Sequence, residues 1–286
     1  MGQFSEFSWT TLPASAGNWS AGALSYNGTK LVAVQGALGR IGVSSDRGQT
    51  WTFSTYQNSN WNSIAVSGDG TKILASRPNG TLLVSVDSGV TWTPREQART
   101  WVSVSMSDSG AVMFAANQNG YLYKSSDFGS TWIQTGESNL WFAVSVSPDG
   151  QYIAATSNSY LRLSSDFGST WQTRSVLVNS SSIDVSANGS LLVASDGFSI
   201  KTSGDLGQTW QTHGSYVSWS STSCPNDGSW FAASSNSYDV PLYVSTDPSV
   251  AQPDRTFPQW KFVSVSGDGN YILASDHYNL FLGKRR

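Results

Sequence analysis

WNSIAVSGDGTKILASRPNGTLLVSVDSGVTW, from Trp61 to Trp92, reads as three strands separated by two turns and the approach to a fourth. Residues 61–67 alternate in character, Gly68-Asp69-Gly70 turns the chain, and Lys72 to Ser76 forms a second strand. Arg77-Pro-Asn-Gly80 makes a loop, and Thr81 to Ser85 is the third strand. Period-2 patterning between Gly, Asn and Asp turns predicts a four-stranded antiparallel meander.

The same unit recurs along the chain. A Trp is followed nine residues later by Gly at Trp19/Gly28, Trp61/Gly70, Trp101/Gly110, Trp141/Gly150, Trp219/Gly228 and Trp260/Gly269, and Ser180/Gly189 keeps only the Gly. Successive starts lie 42, 40, 40, 39, 39 and 41 residues apart. Units of this length predict an all-β fold, a seven-bladed β-propeller of four-stranded antiparallel blades forming one domain over residues 1–286. First strands supply core positions at Leu24, Val66, Met106, Val146, Val185, Cys224 and Val265. Second strands each carry a small residue in the motif seen as Ile73-Leu-Ala75, which lets neighbouring blades approach. The last unit is one strand short, and Phe7-Ser-Trp9-Thr-Thr11 matches the fourth-strand pattern of Thr50-Trp51-Thr52. The N-terminal strand is therefore expected to close the ring and cover an exposed edge.

Composition narrows the function classes. A net charge of −3 with 12% charged residues leaves no broad basic face, which argues against nucleic acid and anionic membrane as partners. No apolar run reaches the ~18 residues of a membrane-spanning helix, so no membrane insertion is expected. The first residues lack the basic and apolar regions of a secretory signal, and Glu6 stands where a myristoylation motif needs Ser or Thr. The single cysteine, Cys224, excludes an internal disulfide and reads as a small core residue, favouring a reducing, cytoplasmic setting. Sequons at Asn18, Asn27, Asn79, Asn179 and Asn188 include three Asn-Gly turns that the backbone demands anyway.

Five units carry Ser-x-Asp-x-Gly-x-Thr-Trp: Ser44/Asp46/Gly48/Thr50/Trp51, Ser85/Asp87/Gly89/Thr91/Trp92, Ser125/Asp127/Gly129/Thr131/Trp132, Ser164/Asp166/Gly168/Thr170/Trp171 and Ser203/Asp205/Gly207/Thr209/Trp210. A sixth, around Ser245 and Asp247, has degenerated. Asp would cap turn amides, Gly would supply the positive φ, and Trp would pack between blades. One carboxylate per copy is too few for calcium, which takes about 6 to 8 oxygens. This pattern resembles the Asp-box (BNR) repeats of sialidase-like propellers. The resemblance implies that the boxes are folding elements on the face away from any ligand. It would also imply an arginine cluster, a Glu-activated Tyr and an acid/base Asp, from which this chain departs. Its only glutamates are Glu6, Glu96 and Glu137, and the strand that brings the leading arginine is missing from its first repeat.

Most aspartates sit in boxes or in the turns after first strands. Among those left over, Asp184 lies in a first strand, whereas Asp196, Asp239 and Asp276 fall in loops after second strands, with His277 beside the last. They form the one constellation for acid/base chemistry, provided that two carboxylates meet roughly 5 to 10 Å apart. Asp and Asn are also ordinary loop formers. No HExxH, CxxC, serine-nucleophile elbow or phosphate-cradling loop occurs, and no cofactor or metal is expected. The same loops collect Arg77, Asn117, Asn158, Tyr160, Tyr238 and Tyr278. Near them lie the strand-starting Trp61, Trp101 and Trp141, which serve either as blade packing or as sugar platforms. The leading expectation is a non-catalytic, multivalent carbohydrate-binding propeller with glycan or protein partners. The alternatives are a protein-interaction or assembly scaffold, or a small hydrolase, lyase or isomerase using Asp196, Asp239, Asp276 and His277.

Overall fold

The computed structural model describes residues 7–14, 16–37, 39–57, 59–158, 160–174, 180–215, 217–237, 240, 242–247, 250–254, 259–276 and 278–286, with the main chain alone at 214–215, 246–247 and 250–254. The described chain is an all-β propeller of antiparallel meanders, and its helical structure is limited to one 3-10 turn, Ala187–Gly189. Among these residues no helix is long and apolar enough to cross a membrane.

Repeat two shows the register. Ser63–Val66 pairs with Ile73–Ser76, Ile73–Ser76 with Pro78–Ser85, and Pro78–Ser85 with the first half of Thr93–Met106. The second half of that last strand then pairs with Met113–Asn117 as the first strand of the next repeat. Ile133–Val146 is shared in the same way, so repeats two to four form one ten-stranded sheet where separate meanders were expected. Bulges absorb the bend: Glu96 (φ 59°) and Gly136 (φ 71°) lie where the register with the preceding strand shifts. The other sheets have four strands each. First strands pack side by side, with Trp19–Leu24 lying between Ser63–Val66 and Phe262–Val265.

Packing follows the repeated positions. Trp19, Trp61, Trp101, Trp141, Trp219 and Trp260 are buried, and so are the second-strand alanines Ala33, Ala75, Ala115, Ala155, Ala194, Ala233 and Ala274. The glycine nine residues after each start has φ between 64° and 82° in all seven repeats, because the turn into the second strand needs a left-handed residue there.

In each box the Ser hydroxyl does two jobs. Ser44 Oγ donates to Asp46 Oδ1 (2.7 Å) and accepts the Gly48 N–H (2.8 Å), while Asp46 accepts the Thr50 N–H (2.9 Å) and hydroxyl (2.6 Å). Boxes two to five repeat these bonds. Gly supplies the positive φ expected of it, and the residue before it is left-handed too, at Arg47, Ser88, Phe128, Phe167 and Leu206. That paired conformation aims one N–H at the box serine. In boxes one to four it aims the other at the turn after the first strand, as Arg47 N–H to Thr29 O (3.0 Å). The boxes therefore lie at the same end of the molecule as those turns.

At the N-terminus, Phe7–Thr11 pairs antiparallel with Leu280–Arg285, from Phe7 opposite Arg285 to Thr11 opposite Phe281. Trp9 packs against Trp260 and Phe7 against Trp230, with ring centroids 5.6 and 5.5 Å apart. Deleting residues 1–12 strips this outer strand from the C-terminal sheet, and a marked fall in the midpoint and cooperativity of thermal unfolding is expected by circular dichroism. The boxes set the acid limit. Hydrogen bonds from Thr and then Ser hold the carboxyls of Asp46, Asp87, Asp127, Asp166 and Asp205 at about 2, below the ordinary 3.8. The folded state thus favours the ionised form. Its contribution is complete above pH 3.8 and is lost as pH falls towards about 2, so denaturant midpoints should drop across that window. Asp127→Asn should flatten part of the drop.

Candidate functional site

Two features could host a ligand: the loop end opposite the boxes, and the axis enclosed by the first strands. The loop end is fixed by register, since pairs such as Trp101 with Asn117 and Trp141 with Ser157 bring the loop after each second strand to the start of its first strand.

The two described loop carboxylates are turn builders. Asp196 accepts the N–H groups of Phe198 (3.1 Å) and Ser199 (2.7 Å) and the Ser199 hydroxyl (2.9 Å), with Lys201 Nζ at 3.4 Å. Burial pushes its carboxyl up, but these bonds outweigh that and leave it below the usual range. Asp276 accepts the N–H groups of Tyr278 (2.7 Å) and Asn279 (2.6 Å) and the Asn279 amide. The anticipated acid/base grouping thus has its two described members committed to their own loops, while Asp239, His277 and Tyr238 lie outside the described residues. No group of three or more His, Cys, Asp or Glu suited to a metal occurs among the described residues.

These Asx turns lift an aromatic ring two residues on. Phe198 is 74% exposed and Tyr278 68%. Tyr160 instead donates to Glu137 Oε1 (2.7 Å), and Glu137 also lies 3.5 Å from Arg162. Arg77 donates to Ser59 Oγ (2.6 Å) and lies over the Trp61 ring at 5.4 Å; Arg99 lies over Tyr123 at 4.5 Å. Asn117 folds over Gly120, whose missing side chain makes the room, and Asn158 is exposed.

The sugar-platform reading of Trp61, Trp101 and Trp141 is corrected by burial. Their exposures are 1%, 0% and 1%, which leaves no ring face for a pyranose. Trp101 meets Tyr123 edge-on at 5.2 Å, and Trp141 Nε1 donates to Gly120 O (2.9 Å). They are blade packing.

Along the axis runs a cavity of about 350 Å³, walled by the first strands. Each first strand leaves one edge open to the axis, and in the third, fourth, sixth and seventh repeats hydroxyls of the preceding repeat seal free N–H groups there. Ser63 seals Val104 (3.1 Å), Ser103 seals Val144 (3.1 Å), Ser105 seals Val146 (3.0 Å), Ser182 seals Thr222 (3.0 Å), and Ser223 seals Val265 (3.1 Å). Asp184 takes a serine's place in this series. Its carboxylate accepts from Ser145 Oγ (2.9 Å), Val185 N (3.0 Å), Cys224 N (3.0 Å) and Ser223 Oγ (3.2 Å), and burial pushes its pKa up. Burial and the neighbouring Asp184 raise the Cys224 thiol as well, so Cys224 is an inert wall residue. At the box end, main-chain bonds run from turn to turn: Tyr26 to Gly68, Gly68 to Asp108, Asp108 to Pro148, Ala187 to Asn226, Asn226 to Gly267, and Asp268 to Tyr26. Asn226 Nδ2 also donates to Asp108 Oδ2 (2.7 Å), spanning this end, and burial raises the Asp108 carboxyl. Sequence reading missed this system, although serines two or four residues after most starts were its signal.

Known proteins agree with this architecture. A family profile described as the BNR-Asp box repeat matches residues 122–135, which include the third box. A structure of YCF48 bound to D1 peptide has a similar fold, with a TM-score of 0.74, 15% identity, and coverage of 99% of this chain and 98% of that one. YCF48 from Cyanidioschyzon merolae gives a TM-score of 0.73 and 12% identity, covering 97% and 98%. No curated protein sequence matches the chain. The chain thus carries a BNR-Asp box repeat at residues 122–135 and is similar in fold to these two structures.

Because Trp101 is buried, Trp101→Ala should cost about 3–5 kcal/mol of unfolding free energy, read from urea denaturation. A platform residue would leave stability nearly unchanged.

Proposed function

We propose that the chain is a single seven-bladed propeller over residues 1–286, closed by its N-terminal strand, and that it acts as a protein-interaction or assembly scaffold whose loop end takes a polypeptide partner. The blade count is supported by the seven Trp- or Ser-started repeats, each with its left-handed glycine, and by the side-by-side first strands. Closure is supported by the pairing of Phe7–Thr11 with Leu280–Arg285.

The observation that carries the function is the exposure of Phe198 and Tyr278 at the tips of loops locked by Asp196 and Asp276. A stability role would bury these rings, whereas rigid, exposed aromatics suit the anchors of a protein interface, where such residues contribute most. Arg77 and Arg99, already stacked on rings, add fixed cationic contacts at the same end. The similar fold of YCF48 bound to D1 peptide supports a peptide partner over a glycan. The buried Trp61, Trp101 and Trp141 remove the repeated sites on which a multivalent lectin would depend.

Selection of displayed random peptides on the intact protein should enrich aromatic or aliphatic sequences. Phe198→Ala with Tyr278→Ala should weaken their binding at least tenfold without moving the melting temperature. Glycan-array binding without peptide enrichment would overturn the reading.

A further inference from the structure

The hydroxyl seal along the axis is absent at Ile183, where the preceding repeat carries Ala143, and at Gly22, where it carries Phe262, and it fails most widely over the sector built on the first two repeats. In the sealing positions the first two repeats carry Ala21, Ala23 and Ala65, so no hydroxyl meets the N–H groups of Ile64, Val66 and Met106, the counterparts of the sealed Val104, Val146 and Val265. All six residues line the axial cavity. At two of the sealed sites one hydroxyl serves both edge groups of its partner. Ser103 Oγ accepts the Val144 N–H (3.1 Å) and lies 3.4 Å from Val144 O as a donor, and Ser221 does the same for Val263 at 3.4 and 3.2 Å. A hydroxyl can do this because it both donates and accepts. The chemistry missing from the unsealed sector is therefore that of two or three hydroxyl groups on one small body.

We propose that the axial cavity binds a small neutral polyol, of the size of a monosaccharide, cyclitol or alditol, whose hydroxyls take the place of the absent serines on Ile64, Val66 and Met106. The cavity, about 350 Å³, has the volume for one such molecule. Its remaining wall favours the same class. Ser182 and Ser223 line it with hydroxyls already bonded to Thr222, Val265 and Asp184, while the Asp184 and Asp108 carboxylates line the same cavity and oppose an anion there. The main-chain ring and the Asn226–Asp108 bond span the box end, so the ligand enters from the loop end past Asn62, Phe142 and Lys261. This site does not depend on the interaction surface proposed above.

The test follows from the missing groups. Titrating the 15N-labelled protein with millimolar myo-inositol, sorbitol and glucose should shift the Val66 and Met106 amide resonances saturably for at least one of them. Ala23→Ser with Ala65→Ser supplies the hydroxyls internally. It should weaken binding at least tenfold while leaving the melting temperature at or above that of the unsubstituted protein. Should the double variant fail to fold, Ala65→Ser alone should weaken binding and remove the Met106 shift. The proposal is overturned if none of the three polyols moves these amides, if a sealed variant binds as before, or if acetate or methylammonium gives the shift and the polyols do not.

Discussion

The constraint on which this structure depends is the open edge of each first strand. A meander pairs its first strand on one side only, leaving a row of N–H and C=O groups that would otherwise face the axis or template aggregation. Here the preceding repeat reaches across with a serine, as Ser105 does to Val146, and does so about forty residues earlier in the chain. The bond is thus part of the contact between repeats rather than an addition to it. The buried tryptophans and second-strand alanines set the spacing at which such a short side chain can reach.

The boxes work at the opposite margin and by a local route. Their side-chain bonds run between residues two to four apart; what links them to the fold is the main-chain bond to the turn after the first strand in boxes one to four, together with the glycine. A Cβ at Gly89 would lie 2.8 Å from Val43, and one at Gly129 would lie 2.8 Å from Val84, in each case on a third strand of the preceding repeat. The glycine is required twice, by its positive φ and by this close approach. Third strands are thereby docked at the box end, leaving the loop end free to vary in length and chemistry.

How much of this was legible follows from which features repeat. The nine-residue spacing from Trp to Gly marked the start of a strand and the left-handed turn after it; the turn is there in every repeat, while the strand begins at Trp19 and Trp219, two residues later at Ser63, Ser182 and Phe262, and runs through Trp101 and Trp141 from the preceding repeat. Burial of the tryptophans was not legible, since a ring that packs between blades and one that stacks on a sugar share the same period. Nor was the commitment of Asp196 and Asp276 to their own loops, because a turn-forming carboxylate and a catalytic one look alike without hydrogen-bond partners. The seal was hidden by composition: serines at Ser63, Ser103 and Ser105 stand among many others, and only their geometry separates them. The shared strands Thr93–Met106 and Ile133–Val146 were missed because the residues between repeats read as connection, whereas a bulge lets pairing run through.

The fifth repeat, which starts at Ser180 instead of Trp, shows how the ring tolerates its own exception. Two regular bonds fail at its junction with the fourth repeat: Pro148 has no N–H to continue the main-chain ring towards Ala187, and Ala143 cannot seal Ile183. Ser180 is nevertheless buried, its hydroxyl bonded to Ser182 O and its carbonyl held by Thr156. Asp184 then gathers donors from the fourth, fifth and sixth repeats onto one carboxylate. Where apolar packing is thinnest, a buried polar cluster with satisfied partners takes over, and the fold keeps its period by changing the kind of interaction rather than its position.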